Sequence, residues 1–184
     1  MTPPCPNPDG SSPKQKRFDG PPPMCIDPGR RYSAEMVTSK GTMTIALDPV
    51  AAPLTVNNFV FLARYHYYEG IVFHRVIPGF VLQGGDPTGT GSGGPGYRFA
   101  DELPARGRYE LGSLAMANAG PDTNGSQFFV ISGPQGVRLP PQYSLFGKVV
   151  VGLDVVSTID ALGSGSGKPK QTVTIESVTV TEAD

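Results

Sequence analysis

Residues 71–86 read IVFHRVIPGFVLQGGD. Two short runs rich in β-branched and aromatic residues are broken at Pro78-Gly79, a pair that reverses a chain, and glycines follow the second run. The stretch is therefore two neighbouring strands of one reversal. It places Arg75 and Gln83 on adjacent strands, with Phe73, Phe80 and Val81 close by. A fold built from such pieces is β-rich, with short strands and tight turns.

The rest of the chain follows the same style. YSAEMVTS (32–39) and GTMTIALD (41–48) alternate as strands around a turn at Lys40-Gly41. GSLAMAN, SQFFVIS and YSLFGKVVVG are further strands. QTVTIESVTVTE (171–182) has a period of two in Val173, Ile175, Val178 and Val180, broken once as a bulge would break it. Two segments read as helices. In AAPLTVNNFVFLARYHYYEG (51–70), Val56, Phe59, Val60 and Ala63 share one face, Pro53 suits the first turn and Gly70 ends the run. LDVVSTIDAL (153–162) is stopped by Gly163. Many short strands with two helices predict a mainly β fold, a closed antiparallel β-barrel with a helix over each end.

Composition sets the outer bounds. A chain of 184 residues with 38% hydrophobic residues can bury one core. A net charge of −1 gives no bulk attraction to nucleic acid or to an anionic membrane. No apolar run is long enough for a transmembrane helix, so no membrane contact is expected within this chain. The 24 glycines and 20 prolines divide into two groups. From Tyr32 to Asp184 they punctuate strands and define the domain. Across residues 1–31, MTPPCPNPDGSSPKQKRFDGPPPMCIDPGRR, they form a polar extension without a core of its own.

Both cysteines, Cys5 and Cys25, lie in that extension. A disulfide closing it is favoured over two free thiols, since exposed thiols in a tail are a liability. A disulfide implies an oxidising compartment. Met1 directly ahead of such a segment reads as a piece of a longer, membrane-anchored parent. The expectation is an extracytoplasmic domain of a membrane-anchored or exported bacterial protein, with a cytoplasmic one as the alternative. No metal site is expected, because the two histidines lie far from the cysteines.

Several familiar chemistries are missing. There is no G-x-S-x-G elbow, no paired-carboxylate motif and no Cys–His arrangement within the domain. GTGSGG (89–94) has the spacing of a dinucleotide loop, but Pro95-Gly96 follows where a helix must start. GSGSGKPK (163–170) lacks the spacing of a phosphate loop and reads as a turn. What remains is uncharged: amides and aromatics around a single cation. ANAGPDTNGSQFFVIS (117–132) sets Asn118, Asn124 and Gln127 close to Phe128 and Phe129. Beside Arg75 and Gln83, these would form an apolar pocket rimmed by one guanidinium and several amides. Such a pocket suits a neutral, partly apolar ligand whose carbonyl needs donors.

FHRVIPGFVLQGGDPTGTGSGGPGY, SLAMANAGPDTNGSQFF and FGKVV closely resemble the signature segments of cyclophilin-type peptidyl-prolyl cis-trans isomerases, here of a bacterial-like kind without tryptophan. The resemblance runs from Tyr32 to the end. It implies an eight-stranded antiparallel barrel capped by two helices, no cofactor, a monomer, and proline-containing polypeptides as substrates in protein folding. The family's catalytic arginine falls on Arg75 and its partner glutamine on Gln83. The proline pocket falls on Phe80, Val81, Phe129 and Leu139, and contacts to substrate backbone fall on Ala117, Asn118 and Gln127. Alone, Arg75 would read as a surface ion-pair partner and the domain as a non-catalytic binder of proline-containing segments. Inside the motif, with Gln83 and Phe129 retained, catalysis is the stronger reading.

Consecutive residues on a strand face opposite ways, so Phe128 is assigned to the core and Phe129 to the pocket. By the same rule His74 points away from Arg75 and is read as a structural hydrogen-bonder. The chain departs from the family at the pocket edge. Arg138, or Val137 one position earlier, stands where many members have tryptophan, and Tyr143 stands where histidine is common. A hydrated guanidinium cannot reproduce an indole's packing and directed N–H. Weakened binding of the family's cyclic-peptide inhibitor, cyclosporin, is therefore expected.

Overall fold

A computed structural model describes all residues from Met1 to Asp184. Eight strands form one antiparallel sheet: β1 (Arg31–Thr38), β2 (Gly41–Leu47), β3 (Arg75–Ile77), β4 (Val81–Gly84), β5 (Ser113–Met116), β6 (Phe128–Ile131), β7 (Leu145–Val151) and β8 (Ile175–Ala183). Their spatial order is β3-β4-β6-β5-β7-β2-β1-β8. The predicted strands are all present. The bulge is where the broken alternation puts it: Val37 pairs with Ser177 and Thr38 with Ile175, so Glu176 is the extra residue.

The sheet curls but does not close, which corrects the expected closed barrel. β3 and β8 are its edges, with no ladder between them. The reason is local. Strand β3 has three residues, and the turn after the last helix occupies its outer side: Val76 N–H donates to the Gly167 carbonyl and Ser164 N–H to that of Val76. Strand β8 instead meets the chain before β3, where Phe73 N–H donates to the Val173 carbonyl and Ile175 N–H to that of Ile71. The edges are covered by loop hydrogen bonds, one answer to the hazard of an exposed strand.

Three helices are present where two are expected: α1 (Pro53–Arg64), α2 (Pro134–Val137) and α3 (Leu153–Asp160). The single turn of α2, PQGV, has no apolar period to announce it. Helix α1 stops short of Gly70, because Tyr65 caps it and His66 takes a left-handed φ of 56°. α1 packs against β7 and β8, and α3 against β2, β3 and β4. No helix is long and apolar enough to cross a membrane.

Every residue of α1 from Thr55 to Arg64 is buried, including Asn57, Asn58 and Arg64. One side faces the sheet, where the Phe59 ring meets Phe128 and Phe146. The other side is covered by residues 1–31. This segment has no regular secondary structure, yet Phe18 and Ile26 join the main core. The Phe18 ring stacks at 4.8 Å on Phe61 and 5.3 Å from Tyr65. Asn57 donates its amide to the Pro23 carbonyl and accepts from Cys25 N–H, so a buried polar side chain is satisfied by the segment's backbone. Cys5 and Cys25 are joined in a disulfide. Closing a loop of that length stabilises by about 3 kcal/mol against the unfolded chain.

Candidate active site

The site begins as a row across the sheet. Arg75 on β3 pairs with Gln83 on β4, Gln83 with Phe129 on β6, and Phe129 with Ala115 on β5. Directly opposed residues share a face, so this register alone aligns a cation, an amide and an aromatic ring on the outer surface. Phe128 points the other way and is fully buried in the main core. Phe129 belongs to a second apolar cluster with Val81, Tyr109, Ala115 and Ile131, flanked by Phe80, Ala117, Leu139, Tyr143 and Leu145.

A cavity of about 130 Å³ opens there, lined by Arg75, Phe80, Val81, Gln83, Ala117, Asn118, Phe129, Leu139 and Tyr143. Phe129 and Tyr143 meet edge to face at 5.3 Å, forming an apolar wall. The guanidinium carbon of Arg75 stands 5.9 Å from the centre of the Phe80 ring. Arg75 Nη1 donates to Gln83 Oε1 at 3.2 Å, and Gln83 Nε2 donates to Gln127 Oε1 at 3.1 Å. Gln127 Nε2 in turn donates to the carbonyls of Gly91 and Gly93. Arg75 is the only cation in the cavity wall, and no carboxylate lies within ion-pair distance of it. Its remaining N–H donors are uncommitted.

Two expected residues stand apart from the cavity. Arg138 caps α2 and is exposed, with Val137 beside it also exposed, because the single helical turn directs both outward ahead of Pro140-Pro141. Gln127 lies next to the cavity, in the wall of an adjoining groove. The side-chain amides are also used differently from the sequence reading. Asn118 Nδ2 donates to the Gln142 carbonyl and its Oδ1 accepts from Gly120 N–H, so this amide props up the rim. The backbone N–H and C=O of Asn118 carry no partner, like the groups of an unpaired strand edge.

Sequence reasoning missed Tyr109. Its hydroxyl donates to the Tyr143 carbonyl at 2.7 Å and accepts from Tyr143 N–H, clamping that backbone, while its ring fills the floor behind Phe129. Burial raises the Tyr109 pKa, so the hydroxyl stays protonated. A lone tyrosine in ARGRYELG carries no sequence signal for this. His74 differs from expectation as well: it points away from Arg75, but its buried Nδ1 has no partner. Desolvation lowers its pKa and keeps the ring neutral.

Residues 33–180 match the family model described as cyclophilin type peptidyl-prolyl cis-trans isomerase/CLD. Peptidyl-prolyl cis-trans isomerase A of Mycobacterium tuberculosis is 44% identical over 167 residues, covering 80% of this chain and 91% of that protein. Peptidyl-prolyl cis-trans isomerase B of Streptomyces anulatus is 45% identical over 167 residues, with coverages of 80% and 95%. Among solved structures, a cyclophilin type peptidyl-prolyl cis-trans isomerase of Cryptosporidium parvum superposes with a TM-score of 0.76 at 32% identity, covering 84% of this chain and 99% of that one. The same protein in the presence of the dipeptide Ala-Pro also gives 0.76, at 34% identity, with coverages of 81% and 98%.

Proposed function

The chain belongs to the cyclophilin-type peptidyl-prolyl cis-trans isomerases, and from that premise we propose that Arg75 lowers the rotational barrier while the Phe129 cavity grips the proline ring. An X-Pro bond resists rotation by about 18–20 kcal/mol because resonance stiffens the amide. Uncatalysed exchange takes tens to hundreds of seconds. No bond breaks, so the task is to favour the twisted amide, whose nitrogen becomes pyramidal and regains a lone pair. A guanidinium N–H can donate to that nitrogen or to the carbonyl turning beside it.

The observation that carries this reading is an uncommitted guanidinium at the mouth of an apolar cavity sized for a small ring. Gln83 fixes its orientation, and the absence of a carboxylate leaves its charge available to the substrate. Val81, Phe129, Leu139 and Tyr143 hold the ring. The free backbone groups of Asn118 hold the peptide on one side, so the other side swings. A charged hydrogen bond of about 1.5–3 kcal/mol formed only in the twisted state accounts for about ten- to a hundredfold in rate.

Arg75→Ala tests this. The expected result is a loss of at least about tenfold in kcat/KM on a short X-Pro peptide, measured by direct NMR exchange. The unfolding midpoint should change little, since Arg75 is exposed and forms no ion pair. Near-wild-type kcat/KM would overturn the mechanism. Assistance to folding follows from the activity: refolding of a client limited by an X-Pro bond should accelerate with wild type and not with Arg75→Ala. The Cys5–Cys25 disulfide supports work in an oxidising compartment, outside the bacterial cytoplasm.

A further inference from the structure

A groove of about 770 Å³ adjoins the proline cavity and shares Gln83, Ala117 and Asn118 with it. The groove is thus within reach of residues that neighbour a proline held in the cavity. The groove's floor is largely glycine and backbone, held in shape where Gln127 donates to the Gly91 and Gly93 carbonyls. Its walls include two guanidinium groups, Arg17 and Arg98, and no Asp or Glu. Both arginines are exposed, and neither has a carboxylate partner. The carboxylate beneath the floor, Asp86, is occupied by donors from Thr88, Thr90 and Gly91, so the two guanidinium groups on the walls keep no ion-pair partner of their own.

Arg17 belongs to the disulfide-closed segment, ahead of the residues 33–180 that match the family model. Its position is not that of a loose tail. The next residue buries its ring in the core, and Phe18 N–H donates to the Pro95 carbonyl at 2.8 Å. The two backbones are so close that a Cβ on Gly96 would lie 2.4 Å from the Phe18 carbonyl oxygen, and Gly96 has a φ of 103°. Only glycine admits this approach at that backbone conformation. The segment thus pins a cation onto one wall of the substrate groove.

We propose that Arg17, with Arg98, makes this groove a subsite for an acidic side chain, so that the enzyme prefers prolyl peptides carrying Glu or Asp a few residues from the proline. The inference rests on the proposed site and names its substrate class. Arg17 acts on selectivity, since it lies outside the cavity where the amide turns. An exposed ion pair gives a modest preference, about three- to tenfold, and salt screens it.

The test walks Glu, or its neutral isostere Gln, over the positions on either side of proline in a short peptide. Both kcat/KM by NMR exchange and Kd by fluorescence anisotropy are read. The expected Glu-to-Gln ratio is about three to ten at positions on one side only, falling toward one at high salt. Arg17→Ala brings the ratio to about one and Arg17→Lys largely keeps it, a distinction that a merely structural role for Arg17 would not produce. A ratio of one at every position, or one that Arg17→Ala leaves unchanged, overturns the proposal. If the Gln peptides bind but are not turned over, the catalytic reading fails, and the Kd ratio alone then decides on the subsite.

Discussion

Phe18→Ala asks whether residues 1–31 belong to the cooperative fold. The ring is 3% exposed and lies 4.8 Å from Phe61, 5.3 Å from Tyr65 and 6.4 Å from Tyr97. Truncating a buried phenylalanine costs about 3–5 kcal/mol, as lost transfer free energy plus the cavity left behind. Phe61 and Tyr65 cannot collapse into the gap, because α1 and its cap are held from the other side by the sheet. Against this, Phe18 and Ile26 are the only apolar side chains of the segment in the main core, so its local release limits the loss. The disulfide opposes that release. The balance lies near the low end, about 3 kcal/mol, or about 6–12 °C in Tm for a chain of this size. Urea unfolding followed by far-UV circular dichroism measures it, with Phe18→Leu as a milder control. A loss below about 1 kcal/mol would refute the view that the segment is structural.

Removing the disulfide by Cys5→Ser with Cys25→Ser should cost about 3 kcal/mol, and thiol titration of the unfolded, unreduced wild type should find no free thiols. His66 should make stability fall with rising pH. Its ring nitrogens face Glu69 Oε1 at 2.7 Å and the Gly10 carbonyl at 2.8 Å, two acceptors that together require the imidazolium. Those hydrogen bonds, Glu69's first, raise its pKa above the ordinary value of 6.5. Stability from this group is therefore full below pH 6.5 and lost as pH rises through the raised value. Denaturation at several pH values should show that slope in wild type and a flatter one in His66→Asn, and equal slopes would exclude it. Asp86 acts at the opposite end. Burial alone would raise its carboxyl, but hydrogen bonds from Thr88 and Gly91 bring it down to about 2, so its contribution is lost only as pH falls toward that value. Cyclosporin should bind about ten- to a hundredfold more weakly than it does to tryptophan-containing relatives, because Val137 and Arg138 leave the cavity edge without an indole donor. Inhibition titrations of Arg138→Trp and Val137→Trp check this, and no gain in either variant refutes it.

The parts of the fold legible in the sequence are those specified locally. Pro78-Gly79 marks the reversal that pairs Arg75 with Gln83, and the skipped beat between Ile175 and Val178 marks a bulge. Closure was not legible, because it depends on which backbone groups a distant glycine-rich turn occupies. The role of residues 1–31 was hidden because Phe18 stands alone among polar neighbours. One signal existed elsewhere: Phe61 and Leu62 put large apolar side chains on α1 outside the face shared by Val56, Phe59, Val60 and Ala63, and a helix with apolar residues on opposite sides needs a second cover. At the site, residue types located the cavity but not the use of each group. Asn118 and Gln127 read as ligand-binding amides, whereas only the folded chain shows their side chains spent on Gln142, Gly91 and Gly93.

The unclosed sheet has a mechanical consequence. In a closed barrel, strand number and shear fix the diameter, so extra volume inside must strain every strand. This sheet is a split ring. The gap between β3 and β8 is bridged by a handful of loop hydrogen bonds instead of a continuous ladder, so it yields more easily than the paired strands do. Core side chains beside the gap, such as Ile71 and Val173, have a compliant boundary; Met36 and Met43, paired across the unbroken β1–β2 ladder, have a stiff one. Arg75 lies on β3, the strand at the lip of that gap, so the compliance of the opening reaches the strand that carries the cation.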